Sequence, residues 1–322
     1  RYTSNGGEAV GFDPIFSLPE ISWAILSLAR TSRPVPNMKV VAHPGPEVFL
    51  SEATPFLSRE ETMNNLPLGL ADALGKGRTF GDVPPRFWTV EDEGEVVGAA
   101  LVTPPYNLSV SMMGPPAVTT LAENIRAERV SLPGITGPAA VAYGMADALG
   151  QSYRVAVSSS ILRLEAVRWP ELAPLGQPRV ADPDDLGLVT DWYEAFAFEV
   201  SSDPPHATPA LRRHRAALAA QYGLERRAVH LWRVDDEPVC LASKSRELPR
   251  GGTVGPVYTP PEHRKRGYAS ALTAAVSQAI LDSGKDYACL FTNDANRTSN
   301  KIYREIGYVW MGDTVQLSFN RP

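Results

Sequence analysis

Cysteine is scarce in this chain of 322 residues: its two cysteines, Cys240 and Cys289, form neither a framework nor a Cys-x-x-Cys pair. This argues against a disulfide scaffold and a structural zinc site, and it fits a reducing compartment. No apolar run reaches the roughly 18 residues that a membrane span needs, and no basic leader precedes an N-terminal apolar stretch. We therefore expect no signal peptide, no membrane partner and a cytoplasmic location.

Positive charge is also in deficit, because 31 Lys and Arg stand against 36 Asp and Glu, for a formal net charge of -5. Nucleic-acid binding relies on many cationic contacts to phosphate, so we expect no nucleic-acid partner, and any anion site must be local. His206, His214 and His230 lack the close spacing of a helix-borne metal site, so no metal is expected. The 25 Gly and 29 Pro fall short of a low-complexity composition, and the length favours about two domains.

The chain divides into three parts. Residues 1–37 begin with Arg1 rather than Met and show little periodicity, so we set them apart as an N-terminal extension that need not belong to the folded body. Residues 169–178 contain Pro170, Pro174, Gly176 and Pro178, a composition typical of a semi-rigid linker. We therefore predict one domain over residues 38–172 and a second over residues 179–322.

Hydrophobic periodicity predicts alternating strands and helices in both halves. The predicted strands are residues 87–90, 96–103, 153–158, 161–167, 228–234, 238–243, 253–258, 287–292 and 308–319. The predicted helices are residues 117–127, 139–149, 184–198, 209–222, 267–283 and 295–306. The alternation predicts an α/β fold. The two predicted hairpins look equivalent, which makes an internal duplication plausible at the level of element order.

The stretch between the strand ending at Tyr258 and the helix starting near Gly267 is the most informative. Arg264, Lys265 and Arg266 place three cations together in an otherwise acidic protein, and Gly267 allows close approach of a ligand. Backbone N–H groups at a helix start are unpaired and accept a diphosphate readily. The stretch is neither a Walker A loop nor a Rossmann Gly-x-Gly-x-x-Gly motif, so it predicts a different phosphorylated ligand. A solvated basic turn is the alternative.

The last predicted helix carries a polar row, because Asn296, Asn300 and Tyr303 fall at positions i, i+4 and i+7. Ile302 and Ile306 form a separate apolar pair that faces the core. Taken alone, a row of this kind is most often a solvated surface.

Together, residues 257–308 resemble the GNAT acetyltransferase superfamily. Its acyl-CoA loop, Q/R-x-x-G-x-G/A, is matched by Arg264, Gly267 and Ala269, and the helix from Asn296 resembles its other signature helix. The resemblance implies two tandem GNAT-like domains of α/β class, each a mixed, mostly antiparallel sheet flanked by helices. The first domain departs from the pattern, because its loop has Pro115 and Pro116, which have no N–H to donate. We expect no CoA there, and either a supporting role or a structural remnant.

For the second domain, the resemblance implies acetyl-CoA as cosubstrate, no metal, and an amine as acceptor. The residues that the resemblance assigns to acetyl-CoA are Val257, Tyr258, Arg264, Lys265, Arg266, Gly267, Tyr268, Ala269, Ser270, Asn296 and Asn300. The N–H of Val257 would stabilise the developing oxyanion, and Tyr303 would protonate the departing thiolate. Asn296 and Asn300 either bind the pantetheine arm or order the helix.

The acceptor site is predicted from charge. Residues 181–210 contain seven acids and no Lys or Arg, which favours a cationic amine of a small molecule or peptide, with Glu199 and Asp203 as the substrate-facing candidates. A solvated helix face whose first acids match the helix dipole explains the run as well. The strand 253–257 has no carboxylate, so the general base is unassigned. A non-catalytic acyl-CoA-binding or sensing module, or an interaction scaffold without a ligand, remains an alternative function; the sequence does not predict the oligomeric state.

Overall fold

The computed structural model describes residues 38–200 and 208–320. Within these residues the strands are β1 Lys39–His43, β2 Arg86–Asp92, β3 Glu95–Val102, β4 Leu108–Val110, β5 Gly134–Pro138, β6 Tyr153–Leu164, β7 Gln177–Val180, β8 Val229–Val234, β9 Glu237–Glu247, β10 Gly251–Tyr258, β11 Tyr287–Asn293 and β12 Val309–Phe319. The helices are α1 Pro46–Leu57, α2 Asn65–Gly75, α3 Pro115–Ala127, α4 Ala139–Leu149, α5 Leu186–Glu199, α6 Pro209–Glu225, α7 Tyr268–Asp282 and α8 Arg297–Ile306.

The two halves repeat one order of elements, which confirms the predicted duplication at that level. Each half runs strand, two helices, three strands, helix, strand, helix, strand, from β1 to β6 and again from β7 to β12. The predicted hairpins are also confirmed. Their turns place two successive residues at positive φ, Glu93 and Gly94 in the first and Asp235 and Asp236 in the second. Turns of this kind match the twist of the strands that they join.

All twelve strands form one sheet in the order β1-β2-β3-β4-β5-β12-β6-β11-β10-β9-β8-β7. The last strand of each half is exchanged: β12 lies between β5 and β6, and β6 lies between β12 and β11. Residues 134–138 pair with residues 314–318 on one side of β12, and β6 pairs along nearly its whole length on the other. Each half of the sheet is therefore completed by a strand of the other half, and the division near residues 172–179 stays a prediction from sequence.

The hydrophobic cores also combine residues from both halves of the chain. Val315 and Leu317 of β12 are buried in the cluster that α3 and α4 cover, and Tyr287 and Cys289 of β11 are buried in the cluster that α1 and α2 cover. Alternation along the strands places α1, α2, α5 and α6 on one face of the sheet and the other four helices on the opposite face. Because apolar burial is the main stabilising contribution, each half depends on the other for its stability.

The elements that the sequence did not predict are β1, α1, α2, β4, β5 and β7. Residues 153–164 form the single strand β6 instead of the two strands predicted over 153–158 and 161–167. Strand β5 was hidden by its composition, Gly-Ile-Thr-Gly-Pro, which is typical of a loop. Its glycines are needed for close packing. A Cβ on Gly134 would lie 1.9 Å from the Leu317 carbonyl oxygen, and one on Gly137 would lie 2.5 Å from Val110 Cγ2.

None of the helices in the described residues is both long and apolar enough to cross a membrane. No group of three or more His, Cys, Asp or Glu side chains that could hold a metal ion occurs in residues 38–200 and 208–320.

Candidate active site

The candidate site begins where two parallel strands separate. β10 and β11 pair from Gly251 to Thr253 with the residues from Tyr287 to Cys289, and in this described segment they pair no further. The pairing of β10 with β9 is also interrupted between Val254 and Val257. Residues 254–258 of β10 therefore have no strand partner on the β11 side, although Val257 and Tyr258 still pair with β9. The two strands diverge after Thr253 and leave an opening between them.

A turn with two positive φ angles connects β10 to α7. Lys265 has φ 64° and Gly267, the N-cap of α7, has φ 83°. The first bond of the helix runs from the Ala271 N–H to the Gly267 carbonyl at 3.0 Å, and the N–H groups of residues 265–270 donate to no partner in the described part of the chain. Residues 264–267 are exposed. The turn therefore presents a row of free amides at the positive end of a helix, and anion binding by them stays a prediction.

The cationic side chains of the turn divide into two groups. The Arg264 side chain lies along the surface: its Nε donates to the Thr259 carbonyl at 2.8 Å, and its Nη2 donates to Glu199 Oε1 at 2.6 Å. Lys265 and Arg266 stay exposed. Arg264 therefore fixes the turn against the end of α5, while Lys265 and Arg266 are available to a phosphate.

Two tyrosines of the predicted set are buried. Tyr268 packs in the core cluster beneath α7, so it can offer a ligand only its backbone N–H. Tyr258 lies with its ring centroid 6.1 Å from that of Trp192 on α5. Burial, together with the nearby Glu199 carboxylate, raises the pKa of Tyr258. Ala269 and Ser270 are half-buried in the first turn of α7 and leave its start uncrowded.

The asparagines of the polar row hold α8 in place. The Asn296 side chain caps the helix by accepting from the Ser299 N–H at 3.0 Å. Asn300 Oδ1 accepts from the Thr292 hydroxyl at 2.6 Å, and its Nδ2 donates to the carbonyls of Asn293 and Asp294, each at 3.3 Å. Of the two roles left open by the sequence, ordering the helix is the one for which contacts exist, and a contact with pantetheine stays a prediction.

Tyr303 is buried, with 8% of its surface exposed, and belongs to the core cluster that includes α7. Its ring packs edge-on to Tyr308 at 6.0 Å, and Val257 packs against the same cluster. Burial raises the pKa of Tyr303 to about 12, so its hydroxyl is neutral and able to donate at physiological pH. The phenol and Val257 of β10 thus pack against the same core cluster.

Most carboxylates of the acidic run are engaged with arginines. Glu199 binds Arg264, and Asp191 and Glu194 both bind Arg213. Asp182 and Asp185 cap the turn before α5 and bind Arg179, which agrees with the alternative interpretation of this run as a capped, solvated helix. Asp203 lies outside the described residues. The charge that predicted attraction of a cationic amine is thus largely neutralised.

The sequence did not predict a cavity of about 800 Å³ on the face that carries α1, α2, α5 and α6. Four arginines line it: Arg78, Arg154, Arg212 and Arg246. They come from separate elements of both halves, so no motif or spacing could have found them. We refer to this space as the arginine cavity.

Known proteins share this architecture. Residues 235–316 match the family model described as FR47-like protein. A GCN5-related N-acetyltransferase from Sphaerobacter thermophilus is similar in structure, with 19% identity and a TM-score of 0.56 over 88% of this chain and 96% of its own. A GNAT-family acetyltransferase from Colwellia psychrerythraea matches at 12% identity and TM-score 0.54, over 88% and 100% of the chains.

A third solved structure is described as a tandem GNAT protein from the clavulanic acid biosynthesis pathway. It matches at 12% identity and TM-score 0.54, over 88% of this chain and 99% of its own. No curated protein matches this sequence. The chain therefore has the tandem GNAT fold, and its second half carries the matched family signature, so the resemblance inferred from the motifs is confirmed.

Proposed function

We propose that this protein is an acetyl-CoA-dependent N-acetyltransferase that transfers an acetyl group to an amine of a small molecule or peptide. One observation carries the proposal: the free amides of residues 265–270 lie at the start of α7, beside the strands that separate after Thr253. A diphosphate needs such a row of donors, and a thioester arm needs released strand backbone. The residues present therefore fit acetyl-CoA.

Each of these residues has a distinct part in the proposed reaction. The amides of residues 265–270, with Lys265 and Arg266, hold the diphosphate. The backbone N–H of Val257 stabilises the charge that develops on the thioester oxygen. The Tyr303 hydroxyl donates a hydrogen bond to the departing sulfur and so stabilises the leaving thiolate. Acetyl-CoA supplies the activated acyl group.

The acceptor must lose a proton before it attacks. An alkyl amine with a pKa of about 10.4 is almost entirely protonated at pH 7. The strand from Thr253 to Tyr258 contains no carboxylate, and Glu199 is paired with Arg264. We therefore assign proton removal to water reaching the opening between the strands. Both cysteines are free thiols, which supports the cytoplasmic setting that forms part of this proposal.

The same lack of a base favours the second candidate, a non-catalytic acyl-CoA-binding module. One experiment separates them: thiol release from acetyl-CoA is measured with a panel of primary amines, and binding of acetyl-CoA is measured by calorimetry. Amine-dependent release supports the transferase. Tight binding with no release for any amine supports the binding module, and absence of binding contradicts both.

A further inference from the structure

The arginine cavity is built from both halves of the chain. Its walls come from α2, from the ends of α5 and α6, and from the connection that includes Thr103 and Tyr106, while β5, β6 and β12 form its floor. It therefore lies over the exchanged strands, at the centre of the sheet. Its volume of about 800 Å³ is within the range of small-molecule sites.

None of the described residues that line the cavity is an Asp or a Glu, whereas four are arginines. A ligand that enters this space meets positive charge and hydroxyl groups. One of those hydroxyls, Ser109 Oγ, is buried and has no hydrogen-bond partner in the described part of the protein. The charge of the side chains that line the cavity is thus positive, whereas the protein as a whole has a net charge of -5.

Arg246 is the most informative of the four. Its Nε is buried without a hydrogen-bond partner, and its guanidinium takes part in no ion pair within the described residues. Burial, together with the nearby charge of Arg78, lowers its pKa to about 10. An unpaired buried charge is costly, and an anion bound in the cavity would offset that cost.

The fold makes room for this side chain. A Cβ on Gly69 of α2 would lie 2.4 Å from Arg246 Cδ, so only glycine lets the arginine stem pass beneath the helix. Arg78 is positioned by two aromatic rings: its guanidinium lies 4.7 Å from the ring centroid of Phe80 and 4.9 Å from that of Tyr222. Burial also lowers the pKa of Arg78, which has no carboxylate partner among the described residues.

The cavity adjoins the candidate active site. Arg246 on β9 is paired with Thr253, the residue after which β10 and β11 separate. Its guanidinium lies 5.4 Å from the ring centroid of Phe291 on β11, so it reaches across β10 at the apex of the opening. The Arg246 side chain packs against Gly69 of α2, which places it on the face opposite Tyr303. An acceptor held here approaches the thioester from the side away from the phenol.

We propose that the arginine cavity binds a carboxylate or phosphate group of the acyl acceptor through Arg246 and Arg78, so that the acceptors are amines that also carry an oxyanion. That the acceptor is an amine rests on the proposed function. That it also carries an anionic group rests on the arginine cavity alone. Guanidinium groups match both oxyanions by paired hydrogen bonds. The proposal replaces the simple cationic amine that the acidic run suggested.

The test compares matched acceptors: phenylalanine with phenethylamine for the carboxylate, and phosphoethanolamine with ethanolamine for the phosphate. We expect the anionic member of at least one pair to have a kcat/KM at least about tenfold higher. R246Q should lower kcat/KM for that anionic acceptor by about 10- to 100-fold, as expected for one charge-assisted hydrogen bond. The kcat/KM of R246Q for the matched neutral amine should stay within about threefold of the wild-type value. R246K should restore part of the loss. Which pair responds distinguishes carboxylate from phosphate.

Arg226 provides the control, because it forms an ion pair with Glu247 and does not line the cavity. R226Q should leave both members of each pair unchanged. Without ligand, R246Q should melt at the same or a higher temperature, because it removes an unpaired buried charge. Equal kcat/KM values within both pairs, or equal losses in R246Q for both members, overturn the proposal while the transferase stands.

Failure of the proposed transferase function can also be distinguished from failure of the anion site. If no amine is acetylated, but N-acetylphenylalanine or inorganic phosphate raises the melting temperature of the wild type and not of R246Q, the anion site stands and the proposed transferase function fails. If neither anion shifts the wild-type melting temperature and no amine is acetylated, the anion site is overturned as well.

Discussion

Replacing Tyr303 by Phe removes one hydroxyl from a buried ring and leaves its packing on Tyr308 intact. We expect the variant to fold and to bind acetyl-CoA as the wild type does, because the diphosphate contacts lie on another element. Its kcat should fall while the KM for acetyl-CoA stays within about twofold. This pattern is the signature of an interaction made in the transition state.

The size of the loss follows from the buried state of the phenol. Burial raises its pKa to about 12, whereas an unperturbed thiol has a pKa of about 8.5. Full proton transfer to the free thiolate is therefore uphill by about 5 kcal/mol. The hydroxyl contributes mainly by a hydrogen bond to the leaving sulfur, so we expect a loss near the lower end of general-acid effects, about 100-fold in kcat or about 3 kcal/mol.

The assay is thiol release at saturating amine and acetyl-CoA, for Y303F and for Y308F as the matched control. Tyr308 is also buried, and its hydroxyl lies 2.7 Å from Ser277 Oγ, so Y308F should lose about 1 kcal/mol of stability without the loss in kcat. Wild-type kcat should show no alkaline limb due to Tyr303 below about pH 10, since the phenol stays protonated up to a pKa of about 12. Equal kcat in Y303F and wild type, or an alkaline limb near pH 8 that disappears in Y303F, would refute the assignment.

Three further predictions concern other parts of the molecule. E199Q should leave the amine KM within about twofold, because Glu199 is engaged with Arg264; a tenfold rise in steady-state KM would restore Glu199 as an acceptor ligand. Burial lowers the pKa of His230 to about 4. The free energy of unfolding should therefore fall by about 3 kcal/mol as the pH drops from 6.5 through 4, and denaturant titrations of H230N that show the same fall would contradict this. A protease site introduced within residues 169–176 should leave the two cut fragments together in native gel filtration, because β6 and β12 are exchanged; their separation would argue against the exchange.

The sequence predicted the local features of the site well. The helices predicted over residues 267–283 and 295–306 depend on short-range rules of backbone conformation and helix ends. Such rules involve only residues that are close together in the sequence. The two hairpins were predicted for the same reason, since each turn and its flanking strands lie within a single segment, residues 86–102 and residues 229–247. The structure makes Gly267 and Asn296 the N-caps of the two helices, which the sequence did not predict.

Long-range features could not be predicted in this way. The exchange of β6 and β12 is invisible to periodicity, because a strand alternates identically whichever neighbour it pairs with. Strand β5 was missed because the glycines that let β12 and β4 approach it also signal a loop. Arg246 meets Gly69 only through tertiary contact, so its isolation as a buried charge has no signature in either segment. The acidic run predicted a site for a cationic amine because the arginines that pair with its carboxylates lie outside the run.

The central claim is that the amides at the start of α7 hold the diphosphate of acetyl-CoA. The most direct test measures acetyl-CoA and S-acetylpantetheine affinities by calorimetry for wild type, G267D and G284D. Gly284 also has positive φ, but at the far end of the same helix, so G284D carries the same charge and backbone cost. A carboxylate about 5 Å from a diphosphate in water costs roughly 1.5 kcal/mol, or about tenfold in affinity.

The account predicts that G267D loses at least about tenfold in affinity for acetyl-CoA and little for S-acetylpantetheine, which lacks the diphosphate, while G284D binds both as the wild type does. Unchanged acetyl-CoA affinity in G267D, or an equal loss in G284D, would contradict it.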